Sequence, residues 1–163
     1  ISVAVGKTAT VDAEALADGT LLTTSGEGGV TISNLIGDLA NTAIGAVSVT
    51  LDDDGSAGPV STTITSSQAI TVDNGSLADG DTIVLLGAGA FTVTDLAADL
   101  DASVATGTVS AAVVDNVSIT TGSAATTISV AVGKTATVDA EALADGTLLT
   151  TSGEGGVTIS NLI

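Results

Sequence analysis

The chain has no cysteine, histidine, methionine, tryptophan or tyrosine, and it has one proline and one phenylalanine. These absences exclude disulfide bonds, thiolate and imidazole metal sites, and every catalytic scheme that needs a histidine or a cysteine nucleophile. Basic residues are almost missing as well, with two lysines against 19 acidic residues and a net charge of -17. Such a surface repels polyanions, so nucleic acid is excluded as a partner. We predict that the protein is not an enzyme.

Long hydrophobic runs are also missing, although 44% of the residues are hydrophobic and the mean hydropathy is +0.61. The apolar stretches are too short to cross a bilayer, while the overall hydropathy is too high for a disordered acidic chain. We therefore expect a folded protein without membrane insertion. The first residues show neither an initiating methionine nor a signal-peptide pattern. This predicts a piece of a longer or processed chain, which continues after Ile163 with the residues GDLAN or abuts an equivalent unit there.

A long repeat organises the sequence. Residues 1–36 recur without a single change as residues 128–163, so the repeat spacing is 127 residues. We divide the chain into one full period, residues 1–127, with half-repeats at about 10–70 and 71–136, and the start of the next period at residues 128–163. One period contains 15 acidic residues and one lysine, a net charge of -14.

A weaker repeat lies inside the period. The pattern T-V-D followed by L-A-D-G begins at Thr10 and again at Thr71, and each copy is followed by a glycine-rich turn and a second shared pattern. That second pattern reads GEGGVTISNL at residues 26–35 and GAGAFTVTDL at residues 87–96. We interpret the glycine-rich stretches as corner turns, because no basic residue accompanies them for binding phosphate.

The pattern of side chains predicts an all-β fold. Apolar residues alternate with threonine or serine in short runs, and glycine, asparagine or aspartate separates the runs about every ten residues. At most one or two helical turns are expected, at residues 12–18. A parallel β-solenoid (β-helix) of about six coils per period fits the small side chains, because its core is narrow. The alternative is a series of immunoglobulin-like β-sandwiches, whose cores usually contain more aromatic residues.

Two sets of aspartates are candidate cation ligands. The first set, Asp52, Asp53 and Asp54, lies in residues 51–59, which have no counterpart in the second half-repeat and predict a protruding loop closed by Pro59. The second set, Asp18, Asp79 and Asp145, precedes the glycine of each L-A-D-G pattern. Carboxylate ligands favour Ca²⁺ over transition metals, and no other cofactor is required. The alternatives are a solvated acidic loop for the first set and ordinary turn chemistry for the second.

The combination of T-V-D-x-x-x-L-A-D-G with G-x-G-x-[VF]-T-[VI]-[ST]-[DN]-L-x-x-D-L resembles the Thr/Ala/Gly/Asp-rich tandem repeats of very large bacterial surface and secreted proteins, including adhesins and RTX-like proteins. The calcium-binding nonapeptide of RTX repeats is absent from this sequence. The resemblance implies an extracellular or cell-surface repeat segment. We therefore expect a structural part of a fibre, stalk or filament, whose partners are copies of itself and divalent cations. The alternative is a surface adhesin or surface-layer protein that binds cells or a host or biofilm glycan.

Overall fold

The computed structural model describes residues 1–53, 55 and 58–162. Within these ranges the chain forms seventeen β-strands and no helix. In chain order the strands are β1 (Ser2–Val3), β2 (Thr8–Asp12), β3 (Leu21–Gly26), β4 (Gly29–Leu35), β5 (Asp38–Asn41), β6 (Val47–Leu51), β7 (Ser61–Ser66), β8 (Ile70–Asp73), β9 (Thr82–Leu86), β10 (Phe91–Leu96), β11 (Asp99–Asp101), β12 (Val109–Val113), β13 (Val117–Thr120), β14 (Thr126–Val130), β15 (Thr135–Asp139), β16 (Leu149–Gly153) and β17 (Gly156–Ser160).

The strands form two parallel sheets. The nine odd-numbered strands make one sheet and the eight even-numbered strands make the other, each in chain order. Consecutive strands therefore alternate between the sheets, and two strands make one coil of a solenoid. Because neighbouring strands in both sheets pair parallel, the predicted β-solenoid is confirmed and the tandem sandwich is wrong.

The core lies between the two sheets and consists of stacked columns of aliphatic side chains. In the eight-stranded sheet, one inward column contains Val30, Val47, Ile70 and Phe91, which lie opposite one another in successive strands. All four side chains are buried. Small and branched side chains suffice because the sheets close on a narrow interior, and Phe91 is the one aromatic residue that this interior accommodates.

Glycines at the corners allow successive coils to approach closely. Gly26 and Gly87 have φ values of 96° and 103°, which L-residues rarely adopt. A Cβ atom at Gly26 would lie 2.3 Å from the carbonyl oxygen of Val3, and one at Gly87 would lie 2.3 Å from that of Ser66. The glycine-rich stretches are therefore corner turns packed on the preceding coil, as the sequence predicted.

The variable [DN] position of the second repeat pattern is a bulge in the strand. Asn34 and Asp95 have φ values of 54° and 52°, and the strand register shifts just beside each of them. Asparagine and aspartate tolerate this left-handed conformation better than other non-glycine residues. Their alternation in the pattern thus follows from the backbone rather than from ligand binding.

The two repeat spacings correspond to different numbers of strands. Strands β2 and β8 contain residues that are 61 positions apart, and they are separated by six strands, or three full coils. Strands β2 and β15 contain identical residues that are 127 positions apart. They are separated by thirteen strands, so identical sequences lie in opposite sheets. One period is thus six and a half coils rather than about six. At about 4.8 Å per coil, one period extends the solenoid by about 31 Å along its axis, and the next copy is rotated about the axis by half a turn.

Two local expectations need correction. Residues 12–18 form no helix; they make a turn in which the Leu16 amide donates to the Ala13 carbonyl, and the Asp12 carboxylate accepts from the Glu14 amide at 3.2 Å. Strand β11 also departs from the predicted alternation of apolar residues with threonine or serine, because its residues Asp-Leu-Asp include no hydroxyl and no β-branched side chain. Strand β11 forms because both neighbouring coils supply parallel partners for its backbone.

Candidate functional site

An acidic cleft lies where the loop after β6 meets the loop between β8 and β9. Both loops connect the eight-stranded sheet to the nine-stranded sheet, so they lie on the same side of the solenoid in adjacent coils. The cleft has a volume of about 440 Å³ and is open to solvent. Its lining includes Asp53, Asp79 and Asp81, together with Pro59. The structure therefore brings one aspartate from each predicted set to a common surface.

Asp81 fixes the shape of the cleft. Its side chain is buried, and its two carboxylate oxygens accept hydrogen bonds from the amides of Val60 at 2.9 Å and Ala78 at 2.8 Å. The carboxylate thereby ties the returning end of the long loop to the turn in the next coil. Asp81 was not among the aspartates predicted as ligands; the feature that indicates its role is its position two residues after Asp79, directly before strand β9.

A second group of hydrogen bonds anchors the beginning of the long loop. The Ser76 hydroxyl donates to the Asp52 carboxylate and accepts from the Asp53 amide at 2.8 Å. The Asp53 carboxylate in turn accepts from the Gly55 amide at 3.1 Å. Asp52 is therefore engaged within the protein, whereas Asp53 shapes the loop and faces the cleft.

The remaining predicted ligands do not join this group. Asp18 lies on the same side as Asp79 but three coils away, about 14 Å along the axis at 4.8 Å per coil. Asp145 lies on the opposite side, because its loop connects the sheets in the opposite order. Asp54 lies outside the described residues. The three L-A-D-G aspartates are therefore not stacked on one another.

The L-A-D-G segments themselves are turns closed by backbone hydrogen bonds. The Thr20 amide donates to the Ala17 carbonyl at 3.0 Å, and Gly19 has a φ of 70°. Asp79 and Gly80 form the same kind of turn, in which Gly80 has a φ of 98° and the Asp81 amide donates to the Ala78 carbonyl. The glycine explains the conformation, and it leaves the Asp79 carboxylate exposed beside the cleft.

Chemically, the cleft offers carboxylate oxygens and little else. Among the described residues, no three acidic side chains lie close enough together to hold a metal ion. Asp53 and Asp79 could attract a hydrated divalent cation, since hard oxygen ligands suit Ca²⁺. Ca²⁺ binding at the six predicted aspartates remains a prediction.

The one ion pair in the described part of the chain joins two sequence periods. Lys134, in the second period, contacts Asp115, in the first, with Nζ 2.8 Å from Oδ1. The hydrogen bond from Lys134 holds the pKa of Asp115 below its ordinary value, and a bond from the Asn116 amide adds to the effect. Asp139 also has a lowered pKa, chiefly because Asn161 donates to it at 3.0 Å. Lys134, the lysine of the second period, therefore lies at the junction with the first period.

The described residues contain no helix that is long and apolar enough to cross a membrane. No family model, no curated protein and no solved structure matches this chain.

Proposed function

We propose that the chain is a structural, non-catalytic tandem-repeat segment of an extracellular fibre, stalk or filament. The observation that carries this proposal is the way in which the second copy of the repeat joins the first. Strands β14 to β17, which contain the repeated sequence, pair in parallel register with the preceding coils and extend both sheets without interruption. Repeated units therefore lengthen one continuous solenoid instead of forming separate domains.

The burial of identical residues supports the same proposal. Ile32 is 1% exposed in β4, where β6 covers it, whereas its copy Ile159 is 40% exposed in β17. Covering an end coil with a further coil thus removes apolar surface from water, which is the favourable nearest-neighbour contribution in solenoid proteins. The charge of -14 per period keeps the surface strongly hydrated and opposes non-specific aggregation.

The proposal is tested by measuring length against repeat number. Polypeptides with one, two and three complete periods, each followed by the residues 128–163, should form rods of constant cross-section. Small-angle X-ray scattering and electron microscopy should show an increase of about 31 Å per period, from six and a half coils at about 4.8 Å. Units that move independently, or an increment unrelated to the coil number, would contradict the proposal.

A second candidate function is adhesion to a cell or glycan, and the acidic cleft is the observation that favours it. The cleft offers hydrogen-bond acceptors from Asp53 and Asp79 in an exposed position. The usual aromatic platform for a sugar ring is not found in the described residues, because Phe91 is the only aromatic residue and is buried. Binding to a glycan array that disappears in an Asp53→Asn/Asp79→Asn variant would favour adhesion over a purely structural role.

A further inference from the structure

The outward face of the eight-stranded sheet carries an unbroken column of hydroxyl side chains, with one member from every strand. All of them are exposed. In spatial order they are Thr10, Thr31, Ser48, Thr71, Thr92, Ser110, Thr127 and Thr150. Successive members are one strand spacing apart, so this hydroxyl ridge extends for about 34 Å at about 4.8 Å per strand.

A groove lies beside the hydroxyl ridge. In the central coils, the residues two positions earlier in the chain than the ridge members are Ala46, Ala69 and Ala90, which are exposed and small. Together with Thr71 and Thr92 they line a surface groove of about 200 Å³. Because two residues along a strand span about 7 Å, the groove and the ridge are parallel neighbours on the same face.

The acidic residues are arranged differently on the two faces. The exposed or half-buried outward positions of the eight-stranded sheet include three aspartates, Asp12, Asp73 and Asp95, all on the C-terminal side of the ridge. The outward positions of the nine-stranded sheet include four, Asp38, Asp99, Asp101 and Asp139, and three of these (Asp38, Asp101 and Asp139) lie in one column across that face. In a chain with a net charge of -17, the ridge and the groove, which carry no charged side chain, are therefore a surface where two copies can approach with little local repulsion.

We propose that this face binds a second copy of the chain, with the central part of the hydroxyl ridge of each copy (Ser48, Thr71 and Thr92) in the groove of the other. A two-fold axis parallel to the solenoid axis, midway between ridge and groove, places each ridge opposite the partner's groove. Both copies then point in the same direction along the axis. The interface is isologous, so one surface patch serves both subunits. This pairing concerns the single 163-residue chain and does not depend on the proposed function as a rod.

The face is large enough for a weak specific interface. Eight strands at about 4.8 Å, each contributing about five residues at about 3.3 Å, give an area of roughly 600 Å² per copy. The total of roughly 1,200 Å² lies at the lower end of the range for specific protein interfaces. The threonine and alanine methyl groups supply the apolar contact. Repulsion between the acidic residues on the rest of each copy makes the association dependent on ionic strength.

The experiment measures self-association of the full 163-residue chain. Sedimentation velocity is recorded from micromolar to millimolar concentrations at low and high NaCl, with Thr71→Lys as the test variant and Thr65→Lys as the matched control. Both threonines are exposed on strands in the middle of their sheets, and both substitutions change the charge equally, but Thr65 lies on the opposite face. Circular dichroism confirms that the variants fold, and Ser48→Lys provides a second ridge variant.

We expect the wild-type chain and Thr65→Lys to form dimers that strengthen with salt, and Thr71→Lys and Ser48→Lys to weaken dimerisation at least tenfold. Small-angle scattering should show that the dimer has a doubled cross-section and an unchanged length. A dimer of doubled length would show that the ends associate instead, which overturns the proposal. A wild-type chain that stays monomeric at millimolar concentration and high salt, or equal effects of Lys at positions 65 and 71, would also overturn it.

Discussion

Replacing Thr62 by valine should stabilise the protein. Thr62 lies on an inward position of β7, its side chain is fully buried, and its hydroxyl oxygen has no hydrogen-bond partner among the described residues. The strand register places it opposite Ile83, which in turn lies opposite Leu100, so its neighbours along this column are apolar. Valine has the same shape and the same β-branching, and it replaces the hydroxyl with a methyl group.

The magnitude follows from the cost of an unsatisfied buried polar group. Such a group costs about 1–3 kcal/mol, and the added methyl group contributes additional burial. We therefore expect Thr62→Val to raise the free energy of unfolding by about 1 kcal/mol. For a chain of this size that corresponds to an increase of about 2–4 °C in the midpoint of thermal unfolding, which circular dichroism can follow.

Thr24→Val is the matched control. Thr24 is equally buried, in β3 of the same sheet, but its hydroxyl donates to the Asn41 side chain at 2.7 Å. Valine removes this donor, so the same substitution should lower the free energy of unfolding by about 1 kcal/mol. If both variants lose stability equally, the Thr62 hydroxyl is hydrogen-bonded in solution, and the reasoning from the unpaired oxygen is refuted.

Three further predictions concern the bulge, the repeat junction and cations. Asn34→Val should lower the free energy of unfolding by about 1–2 kcal/mol, because valine disfavours the positive φ of this position. Asn34→Gly should change the free energy of unfolding by no more than about 0.5 kcal/mol in urea titrations. Equal losses of stability in the two variants would contradict the explanation from backbone conformation. The lowered pKa of Asp115 implies a stabilising contribution that is present above the unfolded-state pKa and lost as the pH falls through the folded-state pKa. Carbon-detected NMR titration should therefore show the pKa of Asp115 rising towards its ordinary value of 3.8 in Lys134→Gln, and an unchanged pKa would show that the ion pair is absent in solution. Finally, millimolar Ca²⁺ at fixed ionic strength should raise the midpoint of thermal unfolding more in the wild-type chain than in the Asp53→Asn/Asp79→Asn variant. If neither Ca²⁺ nor a chelator changes this midpoint, the carboxylates contribute only to solubility.

The architecture was predictable from the sequence because two features that indicate it, the alternation of residue types and the size of the side chains, can be seen in short stretches of sequence. Alternation of apolar and hydroxyl residues predicts strands, and the small size of the side chains predicts a narrow core rather than a sandwich. Strand β11 was not predictable in this way, since Asp-Leu-Asp forms a strand only because β9 and β13 supply backbone partners on both sides. The loop predicted at residues 51–59 begins after Leu51, which is buried at the end of β6, and Pro59 lies outside a strand as expected; its protrusion stays a prediction.

The candidate site was only partly predictable. Asp53 and Asp79 were singled out separately, but their meeting depends on the two loops lying on the same side in adjacent coils. That arrangement depends on the number of strands between them, which sequence spacing alone does not reveal when coil lengths vary. Equivalent residues are 17 apart between Leu22 and Leu39 but 25 apart between Leu39 and Ile64. The role of Asp81 was missed because one of its two carboxylate oxygens accepts from the Val60 amide, 21 residues earlier in the chain.

The half-turn between identical repeats has a mechanical consequence for any longer array. The two faces of one repeat differ in composition, and unequal faces tend to bend a stack of coils towards one side. Because thirteen strands separate equivalent positions, residues that lie in one sheet in one repeat lie in the other sheet in the next repeat. We therefore expect the curvature contributed by one repeat to be cancelled by the next, so that a longer array would be straight on average. An odd number of strands per repeat would thus keep the array straight without any residue dedicated to that purpose.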